Sequence, residues 1–329
     1  MSDRTHGTHR VRGGSAKALT VRKSGRVAIV GRSNAGKSTL LNAVLEMPLA
    51  IVSPMPQTTR DQLLGVVRHQ DAEIGFLDTP GLHRARTRLG REMNRSAKLA
   101  ARDADVIVYL VGLARQAKFP LAPHPADLAL MAQLPEGVPL ILAVNKIDLV
   151  RDNSQLLPLL AAFEQARPGM TIIPISARAI DGVHPLLDEI AKLLKKGEAC
   201  YGADDVTDKP MRYFAAEYVR EAVLAACREE VPHALAVTID EFLEPVGKAV
   251  VRIVATLHVE REGQKRILIG KKGEMMKRVG SAARARIEEL LGRQVHLELW
   301  VRVSERWRES PELLADFGLV ALRTSGDAP

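Results

Sequence analysis

The sequence is poor in cysteine, in aromatic residues and in long apolar runs. It contains only two cysteines, Cys200 and Cys227, and neither belongs to a CxxC pair or to a histidine cluster. Four zinc ligands are therefore not available, and the composition indicates a reduced cytosolic protein without a structural metal. The longest apolar run, residues 104–114, is far shorter than the roughly 18–20 residues that a spanning helix needs. The basic N-terminal stretch has no apolar segment, so we expect no secretory signal.

The chain does have enough apolar material for more than one packed core, together with an excess of positive charge. Hydrophobic residues make up 46% of the 329 residues and charged residues 26%. Because domains run to about 100–200 residues, two domains are expected. The 47 Lys and Arg residues outnumber the 39 Asp and Glu residues, which gives a net charge of +8. This excess favours a polyanionic partner such as nucleic acid or an anionic membrane surface.

The pattern of apolar residues changes partway along the chain. In the first half, short runs that are apolar on both faces alternate with amphipathic stretches, which predicts an α/β domain with a mostly parallel sheet. In the second half, segments with period two and helical segments follow in the order α-β-β-α-α-β, which predicts a small α+β domain. The expected divisions are a basic flexible N-terminal tail at 1–24, the α/β domain at 25–199, a linker at 200–211, the α+β domain at 212–305 and a C-terminal tail at 306–329.

The stretch GRSNAGKS, residues 31–38, fits the pattern G-x-x-x-x-G-K-[S/T] and stands between a predicted strand and a predicted helix. Gly31 and Gly36 allow the backbone to approach a phosphate, and the helix N-terminus and Lys37 attract the anion. Ser38 supplies a hydroxyl to Mg²⁺. A tight strand-to-helix turn would explain one glycine but not the Lys-Ser pair. The sequence therefore predicts a P-loop.

A second motif selects the base. NKID, residues 145–148, follows an apolar run and matches N-K-x-D. The carboxylate of Asp148 can accept hydrogen bonds from both the ring N–H and the exocyclic amine of guanine. Adenine would leave that carboxylate unpaired, at a cost of about 1–3 kcal/mol. Ser176 and Ala177, at the end of another predicted strand, suit backbone contact with the guanine oxygen, so a guanine nucleotide is expected.

Two further stretches fit a site for the γ-phosphate. DTPG ends a predicted strand and places Asp78 to hold a Mg²⁺-bound water and Gly81 to meet the γ-phosphate through its N–H. PQTTR lies between the P-loop helix and that strand, where a threonine is needed to contact Mg²⁺ and the γ-phosphate. Thr59 is favoured over Thr58, although spacing alone does not separate the two.

These motifs define the expected site. The predicted nucleotide-binding residues are Gly31, Arg32, Ser33, Asn34, Ala35, Gly36, Lys37, Ser38, Thr39, Asp78, Thr79, Pro80, Gly81, Leu82, Asn145, Lys146, Asp148, Ser176 and Ala177. The predicted metal residues are Ser38, Thr59 and, through water, Asp78. Catalysis is expected to depend on Lys37, Thr59 and Gly81.

The residue after Gly81 bears on the rate of hydrolysis. Many GTPases place a glutamine there to orient the attacking water, but this chain has Leu82. An aliphatic side chain cannot do this, so slow hydrolysis that depends on another group, ion or partner is expected. His83 could be proposed as a base, although a loop histidine is more often a bystander. The amide carbonyl of Asn34 could bind K⁺ near the phosphates, as in potassium-stimulated GTPases, or the residue could simply cap the loop.

The second half of the chain contains another glycine loop, GKKG at residues 270–273, between two predicted helices. KH modules place such a GxxG loop over about four nucleotides of single-stranded RNA. A plain helix-turn-helix with solubilising lysines is the alternative, but the order of elements and the flanking charge favour RNA. The predicted RNA-binding residues are Gly270, Lys271, Lys272, Gly273, Lys265, Arg266 and Lys277.

Together these stretches resemble the bacterial Era GTPases over about residues 24–305. The resemblance implies a Ras-like G domain followed by a type II KH domain, with GTP or GDP and Mg²⁺ as ligands. It also implies binding to the 3′ end of 16S rRNA and to the 30S subunit during its assembly, with GTP favouring the RNA-binding state. A cytoplasmic location with peripheral attachment to the inner membrane is implied as well, and we expect a monomer.

Two other functions remain open on sequence grounds. One is a GTPase that regulates a protein or membrane partner, with the C-terminal domain as an adaptor. The other is an RNA-binding scaffold in which the nucleotide is only structural and is not hydrolysed.

Overall fold

The computed structural model describes residues 10–12, 21–114, 120–202, 204–227, 230–247 and 249–319. Contacts between residues divide the chain into two compact units. The larger unit contains Arg10–Arg84 and Met93–Asp208, and the smaller unit contains Ala85–Glu92 and the chain from Lys209 onward. The change of unit after Asp208 lies inside the segment 200–211 that the sequence indicates as a linker.

The larger unit has a six-stranded sheet flanked by helices. Strand β1 (Arg10–Arg12) belongs to this unit but lies outside that sheet, whose six strands are β2 (Lys23–Val30), β3 (Leu63–His69), β4 (Ala72–Asp78), β5 (Val106–Gly112), β6 (Leu140–Asn145) and β7 (Thr171–Ile175). Its helices are α1 (Lys37–Leu45), α3 (Pro125–Met131), α4 (Leu157–Ala166) and α5 (Val183–Leu193), together with α2 (Arg88–Arg102), which begins in the segment that belongs to the smaller unit. The sheet order is β3-β4-β2-β5-β6-β7, and only β3 is antiparallel to its neighbour. This confirms the predicted Ras-like α/β fold.

The central strands have no polar face because helices cover both sides of a parallel sheet. Residues Val27–Val30 of β2 and Val106–Leu110 of β5 are fully shielded from solvent. The carboxyl ends of β2, β4, β6 and β7 lead directly into the four stretches that the sequence assigns to the nucleotide. Open α/β sheets bind ligands at this edge, so the topology gathers stretches that lie far apart in the chain.

The smaller unit has a three-stranded sheet with helices. Its elements are α6 (Met211–Ala226), α7 (Val231–Ala234), β9 (Ala236–Leu243), β10 (Val251–Val259), α8 (Glu262–Ile269), α9 (Glu274–Leu291), β11 (Val295–Val303) and α10 (Pro311–Asp316). The central strand β10 runs parallel to β11 and antiparallel to β9. Every second residue of β10, from Val251 to Val259, is completely buried. The predicted order α-β-β-α-α-β is confirmed, and the short helices α7 and α10 are additional to it.

The packed C-terminal unit extends past residue 305, where the sequence suggests that a tail begins. Trp307 is fully buried, and its indole Nε1 donates a hydrogen bond to the carbonyl of Ala234 over 2.8 Å. Leu314 in α10 is also fully buried. The short helix was missed because six residues give too little periodicity to read. The tail boundary at 306 is therefore corrected for residues 306–319, and residues 320–329 lie outside the described part of the chain.

The N-terminal and linker segments also contain regular structure. Arg10–Arg12 form β1, which is paired with β8 (Asp205–Pro210), and β2 begins at Lys23. The expected tail at 1–24 and linker at 200–211 therefore each contribute strand residues, while residues 1–9 and 13–20 lie outside the described part. Across the described ranges, every helix falls short of the length and apolar character needed to cross a membrane.

Candidate functional site

The P-loop joins β2 to α1 through backbone conformations that favour glycine. Gly36 caps α1 with φ of 102°, and a Cβ there would lie 2.3 Å from Nδ2 of Asn145. Lys37 is buried, and its ammonium group donates hydrogen bonds to the carbonyls of Gly31, at 3.2 Å, and Arg32, at 3.0 Å. Burial lowers the pKa of Lys37 to about 8, while the charge of Asp78 acts in the opposite direction. An anion placed beside this ammonium group would favour its charged form.

The three predicted metal residues are close to one another. Ser38 Oγ donates to Oδ2 of Asp78 at 2.6 Å and lies 2.8 Å from Thr59 Oγ1, which in turn donates to the same carboxylate oxygen at 3.2 Å. Thr58 instead donates its hydroxyl proton to the carbonyl of Met55. Of the two threonines left open by spacing, the geometry thus favours Thr59 as the metal residue.

The chemistry of this cluster fits Mg²⁺. All three side chains offer oxygen, which Mg²⁺ prefers in proteins. The other carboxylate oxygen of Asp78, Oδ1, is buried and has no hydrogen-bond partner in the described part of the chain. Burial raises the pKa of Asp78, although Lys37, Ser38 and Thr59 all act to lower it. A nearby cation or its hydration water would satisfy the orphaned oxygen and keep the carboxylate ionised.

The loop after β4 lies against the P-loop. The N–H of Leu82 donates to the carbonyl of Gly31 at 3.1 Å, and Thr79 donates its hydroxyl proton to the carbonyl of Ile29. A Cβ at Gly81 would lie 2.7 Å from Cα of Ser33, so only glycine allows the loop to approach this closely. Pro80, which precedes it, is buried.

Leu82 and His83 have different surroundings. Leu82 is 5% exposed and packs in the apolar cluster of the larger unit, so its side chain has no polar role. The Nδ1 atom of His83 is 2.9 Å from the carbonyl of Gly81, and Asn94 holds the backbone of His83 through two hydrogen bonds. An Nδ1 that faces a carbonyl must carry the proton, so this contact restrains the ring in the loop and does not test whether His83 acts as a base.

Asn145 connects three loops that are distant in sequence. Its Nδ2 donates to the carbonyl of Ala35 at 2.8 Å, while its Oδ1 accepts from the N–H groups of Lys146 and Ala177. Lys146 has φ of 70° and donates from its ammonium group to the carbonyl of Asn34 at 2.6 Å. Burial lowers the pKa of Lys146 and Asp148 acts to raise it. The loops that are expected to read the base are therefore joined to the P-loop by hydrogen bonds.

The residues expected to read the base lie next to each other. Ser176 donates its hydroxyl proton to Oδ1 of Asp148 at 2.6 Å, although the two are 28 positions apart. Asp148 is exposed, and Ser176 and Ala177 are buried. Because Asp148 is exposed and a carboxylate accepts several hydrogen bonds, a guanine edge could donate to it in addition to Ser176.

Three other residues of the predicted nucleotide site line a cleft, and one of them, Asn34, also has a side-chain hydrogen bond outside the P-loop. Ser33, Asn34 and Thr39 line one cleft together with Lys37 and Ser38, and Ser33 Oγ is buried without a hydrogen-bond partner in the described part of the chain. Asn34 has φ of 63°, and its Nδ2 donates to the carbonyl of Pro54, which leaves Oδ1 as the atom relevant to a cation. The expectation that it binds K⁺ is not tested by these contacts.

The side chain of Arg32 contacts a residue outside the predicted nucleotide site, although the sequence assigns every P-loop residue to nucleotide binding. Its guanidinium lies 3.5 Å from Asp127, a buried carboxylate on α3 that also accepts from the hydroxyl of Tyr109 at 3.0 Å. Burial raises the pKa of Asp127 and that of Tyr109. The side chain of Arg32 therefore helps to pair a buried carboxylate, and only its backbone carbonyl contacts Lys37. Sequence reasoning missed this because the partners are 95 positions apart.

The second glycine loop is built as the sequence predicts. Gly270 and Gly273 have φ of 71° and 80° and join α8 to α9 through a short turn in which Lys272 also has positive φ. A Cβ at Gly270 would lie 2.9 Å from the backbone nitrogen of Met275. Lys271 and Lys272 are exposed at the tip of the loop.

An open groove of about 790 Å³ adjoins this loop between α8, α9 and β11. Its lining includes the predicted Lys265, Gly273 and Lys277, whereas Arg266, Gly270, Lys271 and Lys272 are not among its lining residues. Sequence reasoning missed two further groove residues, Arg284 and the 62% exposed Trp300. Period-two alternation places Trp300 away from the core, and an exposed tryptophan beside basic residues is the signal that could have identified it. Half-buried Leu297, Leu299 and Val301 form the apolar floor.

Comparisons with known proteins agree with this architecture. Residues 26–146 match the family described as 50S ribosome-binding GTPase, and residues 230–308 match the KH domain family. The chain is 42% identical over 297 residues to GTPase Era of Syntrophus aciditrophicus, covering 90% of this chain and 95% of the relative. It is 43% identical to GTPase Era of Geobacter metallireducens, covering 90% and 97%.

Solved structures of Era also resemble this one over both units. An Aquifex aeolicus Era variant bound to GDP·AlF4⁻ has a TM-score of 0.85 at 38% identity, covering 90% of this chain and 99% of the other. Era in complex with MgGDPNP and nucleotides 1506–1542 of 16S ribosomal RNA has a TM-score of 0.85 at 39% identity, covering 91% and 99%. From its two matched domains, its site motifs and its similarity to these relatives along 90% of its length, the chain belongs to the Era family of GTPases.

Proposed function

We propose that this GTPase binds the 3′ end of 16S rRNA through its KH domain and assists assembly of the 30S ribosomal subunit. The observation that carries the proposal is the groove beside the GKKG loop, which combines exposed cations, an apolar floor and an exposed tryptophan. Phosphates are attracted by the cations, and bases stack on the aromatic ring. The related Era that was solved with a 16S rRNA fragment supports RNA as the occupant.

In the larger unit, we assign the following roles in nucleotide binding. The backbone N–H groups of the P-loop and Lys37 hold the phosphates, Asp148 reads guanine, and Gly81 meets the γ-phosphate. Ser38, Thr59 and Asp78 are the residues that would hold Mg²⁺, the last through water. When bound, Mg²⁺ neutralises charge that develops on the phosphate oxygens. The related Era structures with GDP·AlF4⁻ and with MgGDPNP support both ligands.

Hydrolysis is expected to be slow without a further group, because Leu82 is buried and aliphatic. The side-chain oxygen of Asn34, Oδ1, is the candidate ligand for K⁺, because the side-chain nitrogen Nδ2 already donates to the carbonyl of Pro54. Turnover measured in potassium and in sodium should therefore differ in the native protein and not in Asn34→Ala. Equal rates in the two salts for the native protein would remove potassium from the proposal.

Cellular location and association state rest on the family resemblance. We expect a cytoplasmic monomer with peripheral contact to the inner membrane. Fractionation of cells and sedimentation of the purified protein measure these two properties directly.

The identity of the RNA is tested by crosslinking in cells followed by sequencing of the bound fragments. The native protein should enrich the 3′ end of 16S rRNA, and Lys271→Gln with Lys272→Gln should lose that enrichment. A matched control, Lys195→Gln with Lys196→Gln, removes the same charge from two exposed lysines of the larger unit. If the GKKG variant and the native protein recover the same RNA, the C-terminal unit is not the RNA-binding module, and an adaptor for a protein or membrane partner takes its place.

A further inference from the structure

The larger unit contains a further cavity, which the assigned nucleotide contacts do not explain. It has a volume of about 500 Å³ and lies between α2 and α3, beside the loop after β4. All of its lining residues belong to the larger unit. Ser33 lines both this cavity and the cleft of Lys37 and Ser38, so the two adjoin. Because small-molecule sites usually measure about 300–1,000 Å³, the cavity has the size of a ligand site.

The charged lining of this cavity is entirely cationic. Arg32 of the P-loop, Arg84 of the loop after β4 and Lys98 of α2 line it, and its lining residues include no Asp or Glu. Arg32 reaches its carboxylate partner, Asp127, over a long 3.5 Å. Lys98 is exposed and donates to the neutral side chain of Gln133 at 3.2 Å. An anion in the cavity would therefore meet three cations from three different segments.

Much of the remaining lining is apolar. It consists of Leu82 from the loop after β4 and, on α3, Ala126, Ala129 and Leu130. The two alanines are three positions apart and so lie on one face of the helix, where larger side chains would fill the space. An inorganic anion, or a sugar-phosphate backbone, would have no apolar surface to place against this wall. The lining matches a ligand that joins a negative charge to an apolar body.

We propose that this cavity binds a small organic phosphate monoester. Its apolar or aromatic body would lie against the wall formed by α3, and its phosphate would lie among Arg32, Arg84 and Lys98. Arginine suits a phosphate because its guanidinium presents two parallel N–H donors to the phosphate oxygens. The proposal concerns the GTPase unit alone and does not depend on RNA binding by the KH domain.

A ligand in the cavity would contact both loops that are expected to hold the γ-phosphate. Arg32 belongs to the P-loop and Arg84 to the loop after β4, and the N–H of Leu82 already joins these loops by donating to the carbonyl of Gly31. A ligand shifts a protein toward the state that it binds better, so this one would stabilise the present arrangement. Because the buried Leu82 offers no group that orients water, GTP hydrolysis should then be slower.

The binding test uses 1-naphthyl phosphate and the full chain loaded with GDP and Mg²⁺, so that the nucleotide site is already filled. Fluorescence anisotropy of the naphthyl group measures binding. For about 15 non-hydrogen atoms, a dissociation constant of about 0.5 mM or tighter is expected. Inorganic phosphate should not displace the probe at the same concentration, and neutral 1-naphthol should bind more weakly. Displacement by inorganic phosphate would indicate an adventitious ion only, and equally tight binding of 1-naphthol would mean that the cations contribute nothing; either result would overturn the proposal.

Four variants locate the probe within the larger unit. Ala129→Phe fills the cavity from an exposed position of α3 and should abolish binding, whereas Ala132→Phe adds the same side chain to an exposed position that does not line the cavity. Lys98→Gln should weaken binding about three- to tenfold, and Lys195→Gln, which removes an exposed charge elsewhere in the unit, should not. Unchanged GTP turnover without the probe confirms that each variant is folded. Native affinity in both Ala129→Phe and Lys98→Gln would show that the cavity is not the site.

The groove beside the GKKG loop also combines cations with an aromatic ring, so a variant of that groove serves as a further control. Trp300→Ala should bind 1-naphthyl phosphate as the native protein does. If Trp300→Ala loses binding while Ala129→Phe keeps it, the probe lies in the groove and the proposal is wrong.

GTP turnover tests the effect on hydrolysis. The native protein should hydrolyse GTP more slowly as 1-naphthyl phosphate is added, with half of the effect at the dissociation constant of the probe. Ala129→Phe should be insensitive to it. Equal inhibition of both proteins would mean that the probe competes for the nucleotide site, and no inhibition of the native protein would mean that the cavity does not influence hydrolysis. Each of these results contradicts the proposal.

Discussion

The buried ammonium group of Lys37 makes nucleotide affinity dependent on pH in a defined direction. Burial lowers its pKa to about 8 in the protein described here. A bound phosphate favours the charged lysine, so the pKa rises on binding and the complex takes up a proton at pH values above 8. Affinity for GDP should therefore be constant below pH 8 and fall as pH rises above it.

The size of the effect follows from the same value. Each pH unit above 8 lowers the fraction of nucleotide-free protein with a charged Lys37 about tenfold. GDP affinity should therefore drop about tenfold by pH 9 and about a hundredfold by pH 10. This corresponds to about 1.4 kcal/mol per unit until the pKa of the complex is reached. Equilibrium titration with a fluorescent GDP analogue between pH 7 and pH 10 measures it.

Two variants isolate the lysine in that titration. Lys37→Met should bind GDP more weakly at every pH. Titration of the nucleotide and of other groups affects this variant and the native protein alike, so only the loss of affinity that is due to Lys37 should be missing from the variant. Ser38→Ala keeps the lysine and should keep the decline. If native protein and Lys37→Met lose affinity in parallel from pH 8 to pH 10, the argument from burial is refuted.

Three other variants test separate parts of the account. Asp148→Asn should weaken GDP by about 1–3 kcal/mol, seen by calorimetry, and IDP by less, because inosine lacks the exocyclic amine; equal losses would mean that Asp148 does not read that group. Gly81→Ala puts a Cβ 2.7 Å from Cα of Ser33, so GTP turnover should fall at least about tenfold while GDP affinity is kept, and unchanged turnover would contradict the role of this glycine. Leu314→Ala should lower the free energy of unfolding by about 2–5 kcal/mol in urea; a change below about 0.5 kcal/mol would mean that α10 is only a tail.

The nucleotide motifs could be predicted from the sequence because each is a short consecutive stretch with its chemistry in place. Strand-like runs before GRSNAGKS and NKID indicated that both stretches lie at one edge of a parallel sheet. The contact of Ser38, Thr59 and Asp78 through oxygen atoms then follows from topology.

Other features could not be predicted because they depend on packing between distant residues. The pairing of Arg32 with Asp127 joins a loop to a helix whose position the sequence does not specify. Burial of Trp307 against the carbonyl of Ala234 depends on where a short C-terminal segment packs. The role of Trp300 at the groove depends on which edge of the sheet β11 occupies, and period-two alternation does not give that order.

The central claim is that one chain couples a guanine nucleotide to RNA binding at its KH domain. The most direct measurement is the affinity of the full chain for a single-stranded 16S 3′ oligonucleotide, with the GTP analogue GDPNP and Mg²⁺ bound and again with GDP bound. The account predicts tighter binding with GDPNP, and loss of most of that binding in Lys271→Gln with Lys272→Gln. Equal affinity in both nucleotide states, unaffected by removal of the two lysines, would contradict it.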